Sequence, residues 1–207
     1  MKNLKIVLML FSFLIGSSVQ SLRASDDNQQ IPPILNTQLI PTGYGITKLL
    51  KRDYFLASLL IDKSAIYGSA DDIIYIDAAR RMEFKFVADR KISGRTFGRQ
   101  MATAIKINNI KNEIIDSKTQ IQLFMKLFRR SIVKGDVIRF DYHEDFGTRA
   151  YQNNHLLGEI PYSKLFYRLL LRVWLGERPP SSQFKAGILG QNGDDYAIAM
   201  QNRYQSL

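Results

Sequence analysis

GEIPYSKLFYRLLLRVWLGERPPSSQFKAGILG, residues Gly158–Gly190, is the stretch that organises the chain. Pro161 fits the first turn of a helix, where a missing N–H costs nothing, and Gly176 fits just past its end. Between them Leu165, Phe166, Leu169, Leu170, Val173 and Trp174 recur at helical spacing as one broad apolar stripe. Lys164, Arg168 and Arg172 fall on the other side. A helix of this kind must lie against a large apolar surface, most simply a sheet. GERPP then breaks the chain, and Ser181 or Ser182 caps a short helix ending at Gly190.

Upstream, Met82, Phe84 and Phe86 alternate with Arg81, Glu83 and Lys85, the period of a strand with one buried face. Arg80 shares the parity of the buried set. Two readings of it follow. Its guanidinium either pairs with a carboxylate held in a pocket or, as is commoner for arginine, reaches water from the strand end along its stem. Phe55–Ile61 is apolar at nearly every position and reads as a strand buried on both faces. Ser69–Ala78 reads as a short helix or irregular crossover. Ser93 caps a helix whose stripe is Phe97, Met101, Ala104, Ile105 and Asn108, and a second helix runs from near Ser117 to Arg130. Asn108–Asp116 between them reads as a loop. Val137–Tyr142, with Ile138, Phe140 and Tyr142 on one face, and Thr148–Gln152 form a strand pair, and Asn153-Asn154 turns into the organising helix.

The two ends of the chain have a different character. Lys2 and Lys5, the apolar run Ile6–Ile15 and a small, polar exit over Gly16–Ala24 give the layout of a secretory signal peptide. The apolar run is too short for a comfortable membrane span, and cleavage after Ser21 or Ala24 fits equally. No cysteine occurs, which excludes a disulfide framework and a lipid-anchored cysteine after the signal. The expected organisation is a signal over residues 1–24, a flexible lead-in over 25–35, one domain over 36–190 and a polar tail over 191–207. The expected location is the periplasm or another exported compartment, in soluble form. Cleavage after Ala24 removes three of the 29 basic residues and none of the 19 acidic ones, leaving a net charge near +7. With export, a nucleic-acid partner is not expected. Weak contact with anionic envelope surfaces is, although a basic balance also serves plain solubility.

Generic site chemistry is absent. His143 and His155 lack the partners of a zinc site, and Asp194-Asp195 lacks a calcium-loop pattern. Gly43-Tyr44-Gly45 is too short to cradle phosphate, and no Gly-x-Ser-x-Gly occurs. No metal and no cofactor are expected.

Taken in order, GDVIRFDY, GTRAYQNN, the Gly-Glu-Ile-Pro start, RLLLRVWLG and the closing ILG resemble the C-terminal half of bacterial chalcone isomerase-like proteins. The likeness runs from about Gly135 to Gly190, with weaker echoes back to Asn36. It implies an α+β fold, an antiparallel β-sheet covered on one face by a layer of helices. Fold alone does not imply isomerase activity. In the plant isomerases a Ser-Gly before the first long helix is followed by a catalytic tyrosine and, seven residues on, an asparagine. Against Ser93-Gly94 those positions hold Phe97 and Ala104, which offer no hydroxyl or amide to a developing oxyanion. Phe55 stands where the plant enzymes keep a threonine. Bacterial relatives often show Gly-x-Gly-x-Arg entering the first strand pair; here the run ends in Thr47.

The resemblance therefore implies no catalytic residue. It favours a non-catalytic protein holding a hydrophobic ligand such as a fatty acid, as some plant relatives do. The ligand-facing set would be Arg80, Phe97, Met101, Ala104, Tyr142 and Thr47, with Arg80 or Tyr142 meeting a head group. An envelope interaction protein with a basic surface comes next, and an active chalcone–flavanone isomerase, an intramolecular lyase, comes last.

Overall fold

The computed structural model describes residues 33–207. The signal segment 1–24 and most of the lead-in expected over 25–35 lie outside the described residues. Six strands form one antiparallel sheet in sequence order: β1 (Leu39–Leu49), β2 (Arg52–Asp62), β3 (Arg80–Phe86), β4 (Val137–His143), β5 (Gly147–Gln152) and β6 (His155–Ile160). The helices are α1 (Ala70–Tyr75), α2 (Gly94–Asn108), α3 (Lys111–Asp116), α4 (Lys118–Leu127), α5 (Lys164–Leu175), α6 (Ser182–Ile188) and α7 (Asp194–Gln205). The fold class is the expected α+β arrangement.

Burial follows the alternation of β3. Met82, Phe84 and Phe86 join Leu59, Ile138 and Phe140 beneath the helices, and α5 lies over them with Phe166, Leu169, Leu170 and Trp174 buried. Trp174 sits against Phe84 and Phe140, with ring centroids 4.9 and 6.1 Å away. The buried arc of α5 is wider than the expected stripe, because Tyr167 and Leu171 are also fully enclosed. On β2 every residue from Leu56 to Ile61 is buried, as a strand covered on both faces requires.

Close backbone approaches fix two helices. A Cβ on Gly43 would meet the Gly187 carbonyl at 2.2 Å, so α6 lies directly on β1. A Cβ on Gly98 would meet the Met125 carbonyl at 2.7 Å, and one on Gly94 the Arg130 carbonyl at 2.2 Å. Glycine at these two positions lets the start of α2 cross the end of α4 almost backbone to backbone.

Four expectations change. Gly158-Glu159-Ile160 is not a helix start but the end of a sixth strand, β6, hydrogen-bonded to β5; α5 begins only at Lys164. Asn108–Asp116 is not all loop, because α3 fills Lys111–Asp116. The helix from Ser117 ends at Leu127 rather than Arg130. The polar tail expected beyond the domain forms α7, packed on the sheet face opposite α5. There the Tyr204 hydroxyl donates to Glu83 at 2.6 Å, Lys85 donates to the Tyr204 carbonyl at 2.9 Å, and Tyr44 meets the Tyr204 ring. Asp194 and Asp195 sit in the first turn of α7, where negative charge suits the helix dipole.

Candidate functional site

Arg80 opens β3 on the helix-covered face, directly opposite Tyr142 near the end of β4. It does not reach water: none of the residue is exposed. The strand end is closed by α1, whose last-turn carbonyls lack helical partners and carry the negative end of its dipole. Arg80 Nη1 donates to two of them, Ile73 at 2.6 Å and Ile74 at 3.0 Å. The guanidinium carbon lies 5.0 Å from the Tyr142 ring centre and 5.3 Å from that of Tyr167 on α5. These rings stack on each other at 5.0 Å. The Tyr167 hydroxyl is shared between the carbonyls of Arg80 and Phe140, each at 3.2 Å, and so ties α5 to both strands.

This cation is incompletely satisfied. Among the described residues, the buried Arg80 Nε and Nη2 have no hydrogen-bond partner, and no carboxylate pairs with Arg80. Asp77, the acid whose charge is felt there, is held by Lys164. Burial lowers the Arg80 pKa, and the nearby Arg168 charge adds to that, while Tyr167, Tyr142 and Asp77 oppose it. Burial likewise raises Tyr142 and Tyr167, so both phenols stay protonated at neutral pH. Nε, Nη2 and the rings around them, the Arg80 socket, are closed to solvent and have the chemistry to donate to an anion, since charge-assisted hydrogen bonds from a desolvated guanidinium are among the strongest a protein makes.

The remaining residues expected at the site lie elsewhere. Phe97 packs on Phe86 and Phe128 at 6.1 and 4.9 Å, at the opposite end of β3 from Arg80. Six residue steps of strand separate the two ends, about 20 Å. Thr47 belongs with the Phe97 end, since it pairs with Phe55, which pairs with Phe86. Its Oγ1 is buried and without a partner among the described residues. Met101 is buried and Ala104 partly buried along α2. The structure thus brings Arg80 and Tyr142 together and sets Phe97 and Thr47 apart from them. At the positions matched to the plant catalytic pair, Phe97 and Ala104 present hydrocarbon only. Among the described residues no cluster of His, Asp or Glu could hold a metal.

Sequence reading missed Tyr167 and the α1 carbonyls. Tyr167 was within reach, because Tyr167, Leu170, Leu171 and Trp174 also follow helical spacing. The carbonyls were not, since backbone acceptors carry no sequence signal.

A chalcone isomerase-like family model matches residues 25–190. The chain belongs to the chalcone isomerase-like family. None of the curated proteins matches it. Among solved structures it is similar to the crystal structure of a fatty-acid binding protein from Arabidopsis thaliana. That match has a TM-score of 0.58 and 16% identity, covering 83% of this chain and 94% of that one. At this identity the likeness shows the fold alone. In this chain the chalcone isomerase-like fold carries the buried arginine–tyrosine cluster at one end of β3, and hydrocarbon side chains, Phe97 buried and Ala104 partly so, at the positions matched to catalysis.

Proposed function

We propose that this is an exported, non-catalytic chalcone isomerase-like protein that binds a hydrophobic ligand with a carboxylate head group, such as a fatty acid. The observation that carries the reading is Arg80, a fully buried cation with two unspent donor nitrogens and no paired acid among the described residues. Leaving such a group uncompensated costs several kcal/mol, and a carboxylate would satisfy both donors at once. Tyr142 lies beside the socket with a hydroxyl that donates to none of the described residues, a third available donor. The hydrocarbon chain would have to part the closely packed aromatic and aliphatic side chains between the sheet and α5. Export rests on the layout of residues 1–24. In keeping with it, no helix among the described residues is long and apolar enough to cross a membrane.

The test is calorimetric titration of delipidated protein with a fatty-acid series, alongside the Arg80→Met variant and the corresponding alcohols. Loss of the charge-assisted pair should weaken carboxylate binding about 100-fold or more and leave the alcohols nearly unaffected. Wild-type protein that binds no member of the series would remove the reading. Turnover of a chalcone above background would replace it with the isomerase.

A further inference from the structure

A basic surface lies on the outside of the helical layer, where the start of α2 crosses the end of α4. A groove of about 610 Å³ runs there between Arg95, Arg99, Lys126 and Arg129 over a floor of Met125 and Phe128. A second groove of about 310 Å³ shares Lys126 and Arg129 and continues past Arg130 to His155, Leu156 and Leu157 on β6. The close crossing at Gly94 and Gly98 holds the α2 cations beside those of α4. The backbone pairing of Ile92 with Ile132 fixes the segments on either side. This juxtaposition is built into the fold rather than left to mobile side chains.

The charges are unbalanced. Arg95, Arg99, Lys126, Arg129 and Arg130 are all exposed, and none has an acidic partner among the described residues. Among the described residues only Arg99 of these five has a side-chain hydrogen bond, to the Thr96 hydroxyl at 3.1 Å. Between Gly94 and Gly135 the only acids are Glu113 and Asp116, which lie at the other end of the helix pair. Glu113 is already engaged by Arg172. Five cations around an apolar floor, with Leu156 42% exposed beside them, match a surface that is anionic at its face and hydrocarbon beneath it. A nucleic-acid backbone would use the cations and leave the apolar floor unexplained.

We propose that this face docks on anionic phospholipid membranes, through phosphate head groups at the four groove cations and apolar contact at Met125 and Leu156. The site is separate from the Arg80 socket and needs no ligand there.

Flotation with vesicles tests it, using phosphatidylcholine alone and phosphatidylcholine mixed with phosphatidylglycerol. The wild-type chain should float only with the anionic vesicles. Each cation removed should weaken partitioning about five-fold, so Arg95→Gln/Arg99→Gln/Lys126→Gln/Arg129→Gln should weaken it about 100-fold or more. The matched control removes four exposed cations elsewhere, Lys48→Gln/Lys51→Gln/Arg52→Gln/Lys63→Gln, and should retain most of the binding. Equal loss in both variants would reduce the effect to net charge and overturn the site. So would failure of the wild-type chain to bind anionic vesicles, including the case in which an oligonucleotide is retained by the same four cations.

Discussion

Replacing Trp174 with alanine tests the central packing of the fold. Trp174 is 2% exposed and is the single tryptophan of the chain. Its ring lies 4.9 Å from that of Phe84 and 6.1 Å from that of Phe140, so it joins α5 to β3 and β4 at once. Truncating a large buried aromatic costs about 3–5 kcal/mol, and aromatic pairs add about 0.5–1.5 kcal/mol each beyond area burial. With two such pairs and strands that cannot easily collapse inward, the loss should fall near the top of the range, about 5 kcal/mol. That is a third or more of the stability of an ordinary domain. Urea unfolding followed by far-UV circular dichroism reads wild type and variant alike. For a slope near 2.5 kcal/mol/M the midpoint should drop by about 2 M. A loss below about 1 kcal/mol would mean that α5 does not bury this face against the sheet.

Two further outcomes are expected. Burial raises Tyr167 and Tyr204 above the ordinary tyrosine range, with Glu83 adding to the effect at Tyr204. The native state therefore keeps protons that the unfolded chain loses above about pH 10. Stability should be full below that pH and fall above it by up to about 1.4 kcal/mol per pH unit per tyrosine, read as urea midpoints across alkaline pH. Midpoints that stay level while tyrosinate absorbance rises would contradict this. N-terminal sequencing of the exported form should find a chain beginning near Leu22 or Ser25; a retained Met1 in a membrane fraction would reject export.

Elements with one clean period were legible, and those held by tertiary contact alone were not. The alternation over Met82–Phe86 and the stripe over Leu165–Trp174 each fixed both an element and its buried face. By contrast β6 is an edge strand with adjacent Leu156 and Leu157, a register shift between Ala150 and Tyr151, and mostly exposed side chains. It has no period-2 signal to read, and Pro161 beyond it mimics a helix start. The helix α3 buries none of its residues and has no side-chain N-cap, so neither an apolar stripe nor a start signal announces it. The helix α7 is held through Tyr204 at its far end, and one aromatic in a polar tail is too little to predict docking.

The site shows the same limit more sharply. Parity placed Arg80 on the buried face, but its exposure depends on what lies beyond the strand end. There the crossover folds back and sets the Ile73 and Ile74 carbonyls against Nη1. As a strut for α1 alone, this cation is a poor choice. Its two bonds contribute about 1.5–3 kcal/mol each, whereas each unpaired buried donor costs about 1–3 kcal/mol, on top of desolvating the charge. The two tyrosine rings against the guanidinium offset much of that desolvation, so in the free protein the terms nearly cancel and Arg80→Met, which keeps the length of the stem, should move stability by less than about 2 kcal/mol. In the ligand-bound protein the cancellation ends, because a carboxylate satisfies the two open donors without disturbing the other two bonds. The same substitution should therefore abolish the stabilisation that a fatty acid confers on the wild-type protein. A large loss of stability in the free variant, with ligand stabilisation intact, would make Arg80 a strut after all.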